Sequence, residues 1–257
     1  MLSDSVRKIL IILVLFLCIF GSTATTALEN FGQEKDEPTI YILTRTSGRP
    51  VFFKKCRESL KSQTHKNWHH LVSVDDDKSY KYAELDDDRK EVVRVKKINK
   101  TELMNCPYNL YFNELIEKVP EGSWMIFLDD DAVIYRPDSI EKLAETIEKA
   151  EQEDRGIILS KCLGNVTKTP KCWGKTTEQI KNGMKKDWWG TCGVDTSHIA
   201  IKKTSKLQKW IYKCQGDSHF FDDNLKAGYK VFFNENEPII SANYSGVGGG
   251  RRKDLGD

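Results

Sequence analysis

The chain has 257 residues, of which 39% are hydrophobic and 30% are charged, so it can bury the core of one large α/β domain or at most of two small ones. Its 40 basic and 38 acidic residues give a formal net charge of +2. This balance argues against a nucleic-acid-binding protein that relies on bulk electrostatic attraction, and we expect no nucleic-acid partner.

The amino terminus combines a basic flank with a short apolar run. Arg7 and Lys8 precede the apolar residues 9–20, and small residues such as Ala24 and Ala27 follow. This pattern is typical of a cleaved signal peptide, and equally of an uncleaved anchor that would hold the protein to a membrane. Both alternatives predict a location in the secretory lumen (Golgi or ER), as a secreted protein or a single-pass type II membrane protein. The predicted divisions are a signal peptide or signal anchor at 1–28, a linker at 29–38, a folded domain at 39–245 and a flexible Gly/Arg-rich tail at 246–257.

Glycosylation sequons and cysteines are consistent with a lumenal domain. The sequon asparagines are Asn99, Asn165 and Asn243. Six cysteines follow Cys18, and none has the Cys-x-x-Cys spacing of a structural zinc site. An oxidising lumen permits disulfides. Cys162 and Cys172 could close a small loop, but many pairings are possible and the sequence does not select one.

The first part of the domain predicts a strand, a helix and a second strand. Residues 39–43 are rich in strand formers, and a loop containing Gly48 follows. An amphipathic pattern predicts a helix over 51–62, and 68–74 predicts the second strand, which ends in the acidic residues 75–77. This order indicates a right-handed βαβ unit with parallel strands.

Strands and helices continue to alternate after this unit. The predicted strands are 92–98, 124–128, 156–159, 198–201, 229–233 and 238–242, of which the last two close the sheet. The predicted helices are 107–118, 137–153, 207–213 and 217–227, and 161–186 is predicted to be irregular. The alternation predicts a mostly parallel, doubly wound sheet with helices on both faces.

Three consecutive aspartates, Asp129 to Asp131, follow the apolar run 124–128. The composition of that run suits a buried parallel strand, so the acids would lie at its carboxyl end, where open α/β sheets bind ligands. Three adjacent carboxylates repel one another unless a positive charge, such as a divalent cation that also bridges phosphates, lies among them. The alternative is a solvated acidic turn. The second acidic cluster, at 75–77, favours the ligand site.

Four segments share their motifs and their order with a known family. They are 42–46 with Arg49-Pro50 and 59–64; 72–76; the helix 107–114 ahead of 124–131; and Gly216-Asp217 ahead of 228–231. Together they resemble nucleotide-sugar glycosyltransferases of the GT-A fold, closest to family 2, over nearly all of 39–245.

The resemblance implies metal-dependent transfer of a sugar from a nucleotide-diphosphate donor, most often a UDP-sugar, to a glycan or glycoprotein acceptor. It implies that Asp129 and Asp131 hold Mn²⁺ or Mg²⁺, which acts as a Lewis acid on the leaving diphosphate. It also implies the following donor-binding residues: Thr44, Arg45, Asp75, Asp76, Asp130 and Asn113, with Asn109 as the alternative to Asn113.

The resemblance makes Asp217 the general base of an inverting transfer, which needs a carboxylate near the acceptor hydroxyl. However, the chain has Gly216 where family members usually have Glu, and this leaves Asp222 and Asp223 as alternative bases. His219 lies close enough in sequence to assist.

Two further groups are candidates for ligand contacts. Trp188 and Trp189 precede a Gly-rich turn and could stack on a sugar acceptor, although buried core tryptophans fit equally well. Arg251 and Arg252 could clamp phosphate, with a disordered tail as the alternative.

Two other classes of function compete with the transferase. One is a non-catalytic lumenal module that binds carbohydrate or divalent cations through its acidic loops. The other is a nucleotidyltransferase of related fold, but that class usually has a Gly-rich phosphate loop after its first strand, and the loop 44–50 contains a single glycine.

Overall fold

The computed structural model describes residues 38–84, 89–98, 106–163, 167–183, 193–213, 215–236 and 238–242, all within the unit Pro38–Asp257. Several predicted features lie outside these ranges: the amino-terminal segment 1–28, the three sequon asparagines, Trp188, Trp189, Arg251 and Arg252. None of the described helices is long and apolar enough to cross a membrane.

The described strands form one large and one small sheet. The strands are β1 (Ile40–Arg45), β2 (Trp68–Val74), β3 (Lys90–Arg94), β4 (Trp124–Phe127), β5 (Ala132–Ile134), β6 (Ile157–Leu159), β7 (Cys162–Leu163), β8 (Thr167–Lys168), β9 (Ile199–Lys202), β10 (Val231–Phe233) and β11 (Ile240–Ala242). The α-helices are α1 (Pro50–Lys61), α2 (Asp77–Ala83), α3 (Tyr111–Lys118), α4 (Ser139–Gln152), α5 (Thr177–Asn182) and α6 (Gly216–Lys226). Single 3₁₀ turns occur at Pro107–Leu110 and Thr196–His198.

The large sheet has the strand order β10-β6-β9-β4-β1-β2-β3. β1 pairs in parallel with both β2 and β4, β2 with β3, and β6 with β10. Only β9 runs antiparallel within this sheet, between β4 and β6. The predicted mostly parallel, doubly wound sheet is confirmed.

Side chains of the central strands alternate between two hydrophobic clusters, because successive residues of a strand point to opposite faces. In β4, Met125 and Phe127 join the cluster that contains residues of α3 and α6. Trp124 and Ile126 join the cluster that contains residues of α1 and α4. Both faces of the sheet are therefore covered by helices.

The small sheet has the order β5-β11-β7-β8. The prediction that 238–242 closes the large sheet is wrong, because β11 pairs antiparallel with β5 and parallel with β7. The prediction that 161–186 is irregular is also wrong, since this stretch contains β7, β8 and α5. Helix α5 begins with a capping box in which Thr176 and Gln179 bind each other's backbone N–H groups.

The predicted helix at 207–213 does not form. Its backbone is instead bonded by asparagine side chains from other elements: Asn224 Oδ1 accepts from Gln208 N at 2.9 Å, and Asn113 Oδ1 accepts from Trp210 N at 2.8 Å. These bonds replace the i→i−4 ladder that a helix would need. Helix α2 is an element that the sequence analysis did not predict.

The cysteines exclude the small loop that the sequence allowed. Cys106 and Cys172 each take part in a disulfide bond, whereas Cys162 carries a thiol. Cys172 is therefore not bonded to Cys162.

Candidate active site

The acidic triplet, defined as Asp129 to Asp131, forms the turn between β4 and β5. Leu128 N donates to Leu43 O at 2.9 Å, which extends the pairing of β4 with β1 up to the triplet. Thr44 Oγ1 donates to Leu128 O at 2.7 Å from the same side. The triplet therefore lies at the carboxyl end of the central strands, as predicted from the sequence.

Two arginines, Arg45 at the end of β1 and Arg49 just before α1, offset part of the charge of the triplet. Arg45 Nη2 lies 3.4 Å from Asp129 Oδ1, and Arg49 Nη1 lies 2.7 Å from Asp130 Oδ1. Arg49 also forms an ion pair with Asp131 through its second terminal nitrogen. The sequence analysis noted Arg49 only as part of a motif and assigned it no role.

The three carboxylates differ in exposure. The side chains of Asp129 and Asp131 are 30% and 31% exposed, whereas that of Asp130 is 4% exposed. Asp130 also accepts a 2.8 Å hydrogen bond from Thr46 Oγ1. Burial raises the pKa of Asp130 to about 7 and outweighs the lowering effect of the Arg49 charge. To contact a donor, as predicted, Asp130 would have to exchange these partners.

The partly exposed pair Asp129 and Asp131 could offer carboxylate oxygens to a divalent cation if their ion pairs with Arg45 and Arg49 open. Among the residues that the structure describes, no group of three or more His, Cys, Asp or Glu side chains could hold a metal ion. Mg²⁺, however, is commonly bound by one or two carboxylates together with substrate phosphates. Thr196 Oγ1 donates to Asp129 Oδ2 at 3.0 Å and orients this carboxylate. The oxygen donors suit the hard cation that the sequence predicts.

The acids that follow β2 have different environments. Asp75 accepts hydrogen bonds from Ser47 Oγ at 2.9 Å and from Tyr111 Oη at 3.1 Å, which connects the β1–α1 loop to α3. Asp76 caps α2, since its Oδ1 accepts from Ser79 N at 2.7 Å. The predicted nucleoside pocket at these residues stays a prediction.

Thr44 lies beneath the surface of the site. It is fully buried, and its hydroxyl lies 2.8 Å from His70 Nε2. Since the hydroxyl also donates to Leu128 O, Thr44 supports the backbone ahead of the triplet. A direct contact between Thr44 and a donor would require this hydroxyl to become accessible.

Asn109, rather than Asn113, lies beside Arg45. Arg45 Nη1 donates to Asn109 Oδ1 at 2.8 Å. Both polar atoms of the Asn113 side chain bind the backbone of Trp210. Of the two alternatives that the sequence left open, the structure therefore brings Asn109 to the triplet.

Asp217 occupies the first turn of α6. Burial raises its pKa to about 6, because the lowering effects of Ser218 N–H and of the Arg45 charge are outweighed by burial together with the nearby charges of Asp195 and Asp129. Asp217, Asp129 and Arg45 thus share one electrostatic environment. Of the alternative bases, Asp222 is buried and Asp223 forms an ion pair with Lys226 at 3.0 Å.

Sequence comparisons identify no relative: no protein-family model and no curated protein matches this chain. Comparison with solved structures, in contrast, finds similar proteins. The chain resembles S. aureus TarS 1-349 with a TM-score of 0.57 and 15% identity, over 80% of this chain and 60% of that one. The chain also resembles TarS 1-349 in complex with UDP-GlcNAc, with a TM-score of 0.57 and 12% identity over 85% of this chain and 61% of that one.

A third solved structure is similar over most of the described chain. It is the mannosyltransferase PcManGT from Pyrobaculum calidifontis in complex with GDP-Man and Mn²⁺, with a TM-score of 0.51 and 12% identity over 89% of this chain and 66% of that one. The fold is that of the GT-A glycosyltransferases. The chain spans less than two thirds of the length of each of these three proteins.

Within this GT-A fold, several residues near the triplet were not predicted to be site residues. They are Thr46, Arg49, Asp195 and Thr196. The first two follow β1, so the rule that ligands bind at the carboxyl ends of parallel strands could have indicated them. The last two precede β9, and no signal in the sequence indicates that this strand runs antiparallel beside β4.

Proposed function

We propose that this chain is a metal-dependent glycosyltransferase that moves a sugar from a nucleotide-diphosphate donor, a UDP-sugar, to a glycan or glycoprotein acceptor. The observation that carries the proposal is the chain of contacts from Asp129 through Arg45 and Asn109 to the backbone of Lys213, which leads into the helix of Asp217. The charge of Asp129 also contributes to the raised pKa of Asp217. The GT-A fold supports the same reaction class, hexosyl or pentosyl transfer.

On the donor side, Asp129 and Asp131 would hold the metal. Mn²⁺ or Mg²⁺, when bound, neutralises the charge that develops on the leaving diphosphate. The guanidinium carbon of Arg45 lies 4.7 Å from the ring centroids of Tyr108 and Phe112, which keep this cation beside Asp129. The UDP-GlcNAc of TarS and the GDP-Man and Mn²⁺ of PcManGT support this assignment by analogy.

On the acceptor side, Asp217 acts as the general base. The acceptor oxygen forms a bond to the anomeric carbon, the bond from that carbon to the diphosphate oxygen breaks, and the acceptor proton moves to Asp217. The configuration at the anomeric carbon is inverted. A pKa of about 6 leaves Asp217 ionised at neutral pH and close to the value that suits proton transfer.

The proposal extends to the acceptor wall and to the compartment. Trp188 and Trp189 lie outside the described residues and are proposed to stack on the acceptor. We place the activity in the lumen of the Golgi or ER. The disulfide bonds of Cys106 and Cys172 support an oxidising compartment.

The test uses the purified full-length chain with a panel of UDP-sugars and GDP-Man, with and without Mn²⁺. We expect metal-dependent release of the nucleoside diphosphate, loss of that release in EDTA, and a product whose anomeric configuration by NMR is opposite to that of the donor. Asp131→Asn should lower the rate by at least about 100-fold. Asp138→Asn is the control, because this residue pairs with Lys142 at the start of α4.

Two outcomes would contradict the proposal. Binding of nucleotide sugar with no turnover in wild type, and unchanged binding in Asp131→Asn, would indicate a non-catalytic module. Release of pyrophosphate from a nucleoside triphosphate and a sugar phosphate would indicate a nucleotidyltransferase.

A further inference from the structure

The segment 210–213 leads into the helix that carries Asp217, and two asparagine side chains hold it. Asn113 Nδ2 donates to Trp210 O at 2.9 Å, and Asn113 Oδ1 accepts from Trp210 N at 2.8 Å. Asn109 Nδ2 donates to Lys213 O at 2.9 Å. Asn109 lies in the 3₁₀ turn Pro107–Leu110 and Asn113 in the first turn of α3, which follows it directly.

Asn109 also reaches the donor side of the site. Its Oδ1 accepts from Arg45 Nη1 at 2.8 Å, and Arg45 Nη2 lies 3.4 Å from Asp129 Oδ1. The chemistry of the partners fixes the orientation of the amide, because a guanidinium can only donate and a backbone carbonyl can only accept. Asn109 is 5% exposed. One buried amide therefore connects the arginine beside Asp129 to the chain that precedes Asp217.

Gly216 leaves the space that this amide fills. A Cβ atom at position 216 would lie 2.2 Å from Asn109 Nδ2 and 3.0 Å from Asn109 Cγ. The backbone of Gly216 is helical and does not have a positive φ, so the glycine is required for space and not for conformation. This contact gives a physical reason for glycine at a position where the sequence motif usually has Glu.

We infer that Asn109 and Gly216 form a complementary pair that positions Asp217 relative to Arg45 and Asp129. Asn109 is a positioning residue, because it acts through Arg45 and through the segment before α6. The inference rests on the proposed function, since it concerns how the two sides of that site are held together. The amide of Asn109 fills the space beside Gly216. A side chain at position 216 is therefore tolerated only when the side chain at position 109 is shortened.

The first test is a cycle of Gly216→Ala, Asn109→Ala and the double variant. Gly216→Ala forces the amide to move, and we expect kcat for sugar transfer to fall by about 100-fold, the effect of a misplacement of about 1 Å. Asn109→Ala loses the bridge but introduces no clash, and we expect a loss of about 10-fold. The double variant should recover to the level of Asn109→Ala alone.

A matched control separates this effect from general crowding. A Cβ at Gly156 would lie 2.6 Å from Tyr229 Cδ1. Gly156 precedes β6, which is separated from β1 by β9 and β4 in the large sheet. Gly156→Ala should lower the melting temperature with kcat nearly unchanged, and Asn109→Ala should not rescue it.

A second variant tests positioning even if Gly216→Ala does not fold. Asn109→Asp can still accept from Arg45 but cannot donate to Lys213 O. We expect its kcat to fall by about 10-fold while the Kd for UDP in the presence of Mn²⁺ stays within about 2-fold of wild type, because only the base side is released.

The outcomes distinguish this inference from the proposed function. If wild type shows no turnover with any donor, the proposed function fails, and the role of Asn109 in it fails too. Suppose that wild type is active but that the double variant loses kcat by the product of the two single losses. Asn109→Ala then does not rescue Gly216→Ala, and only this inference is overturned. Equal losses of kcat and of UDP affinity in Asn109→Asp would overturn it as well.

Discussion

Arg49 contacts two of the three carboxylates of the acidic triplet, and the more buried of them depends on it. The side chain of Asp130 is 4% exposed, and its Oδ1 lies 2.7 Å from Arg49 Nη1. Without Arg49, the buried Asp130 must stay charged without a counter-ion or take up a proton at pH 8, and either change costs stability. We therefore expect Arg49→Ala to lower the free energy of unfolding by about 3 kcal/mol, measured by urea denaturation at pH 8.

The control for Arg49 is an exposed ion pair. Lys230 pairs with Asp154 at 2.5 Å, and their side chains are 49% and 89% exposed. Lys230→Ala should leave the free energy of unfolding nearly unchanged, because solvent screens this pair. Similar losses in the two variants would contradict the structural importance of the Arg49–Asp130 pair.

The pH dependence of the reaction is expected to follow Asp217. Its pKa is raised to about 6, and the base must be ionised, so kcat/KM should fall about tenfold per pH unit below that value. Asp195→Asn removes a like charge and lowers the pKa of Asp217, so the acid limb should move to lower pH. Asn can still accept the hydrogen bond that Asp195 Oδ1 takes from Ser197 N.

Rate profiles from pH 4 to 8 provide this measurement. Asp223→Asn tests the alternative base on the same helix, and it should leave the midpoint of the acid limb unchanged. A midpoint that stays fixed in Asp195→Asn, or that moves to higher pH, would show that Asp217 does not control the limb.

At the scale of elements, an aromatic cluster joins the strand that precedes the triplet to the helix that carries Asp217. Phe127 of β4 contacts Phe220 of α6, with ring centroids 5.4 Å apart, and both contact Trp210. Trp210 stacks on Phe220 at 4.5 Å with an interplanar angle of 9°. This packing fixes the two elements at the site relative to each other.

Truncation of this cluster should be costly. Phe220 is 1% exposed, and Phe220→Ala is expected to lower the free energy of unfolding by about 3–5 kcal/mol, because it leaves a cavity in a close-packed region. Phe232 of the edge strand β10 is half-buried and serves as the matched control. Urea denaturation of both variants measures the difference, and an equal cost for Phe232→Ala would contradict it.

The sequence predicted elements well where the apolar period is strong, as in α1, β2, α3 and β4. It failed at 207–213, where an apparently helical pattern is outcompeted by side-chain hydrogen bonds from Asn109, Asn113 and Asn224. These partners are distant in sequence, so no local window contains them. The same reason explains the misassigned β11, whose partners β5 and β7 belong to a separate sheet.

At the scale of the whole molecule, the position of the site was predictable because parallel strands share an edge. β1 pairs with both β2 and β4, so the acids after β2 and β4 flank the end of β1. The division of the triplet into exposed and buried carboxylates was not predictable, because it depends on where Arg49 and Thr46 lie. The match between Asn109 and Gly216 likewise exists only in the folded chain.

At the scale of the whole molecule, variants on the donor side and on the acceptor side of the site should respond differently to a donor-side ligand, and thermal unfolding can detect the difference. A ligand that binds only the folded state at 100 times its Kd stabilises it by about 2.7 kcal/mol, which corresponds to roughly 5–10 °C for a domain of this size. We expect UDP with Mn²⁺ to raise the melting temperature of wild type by this amount, and EDTA to abolish the shift.

Asp131→Asn should lose the shift because it removes a predicted metal ligand. Asp217→Asn should keep the full shift while losing transfer, because the base acts on the acceptor and not on the donor. Loss of the shift in Asp217→Asn would mean that Asp217 takes part in donor binding, and the assignment of separate donor and acceptor sides would be wrong.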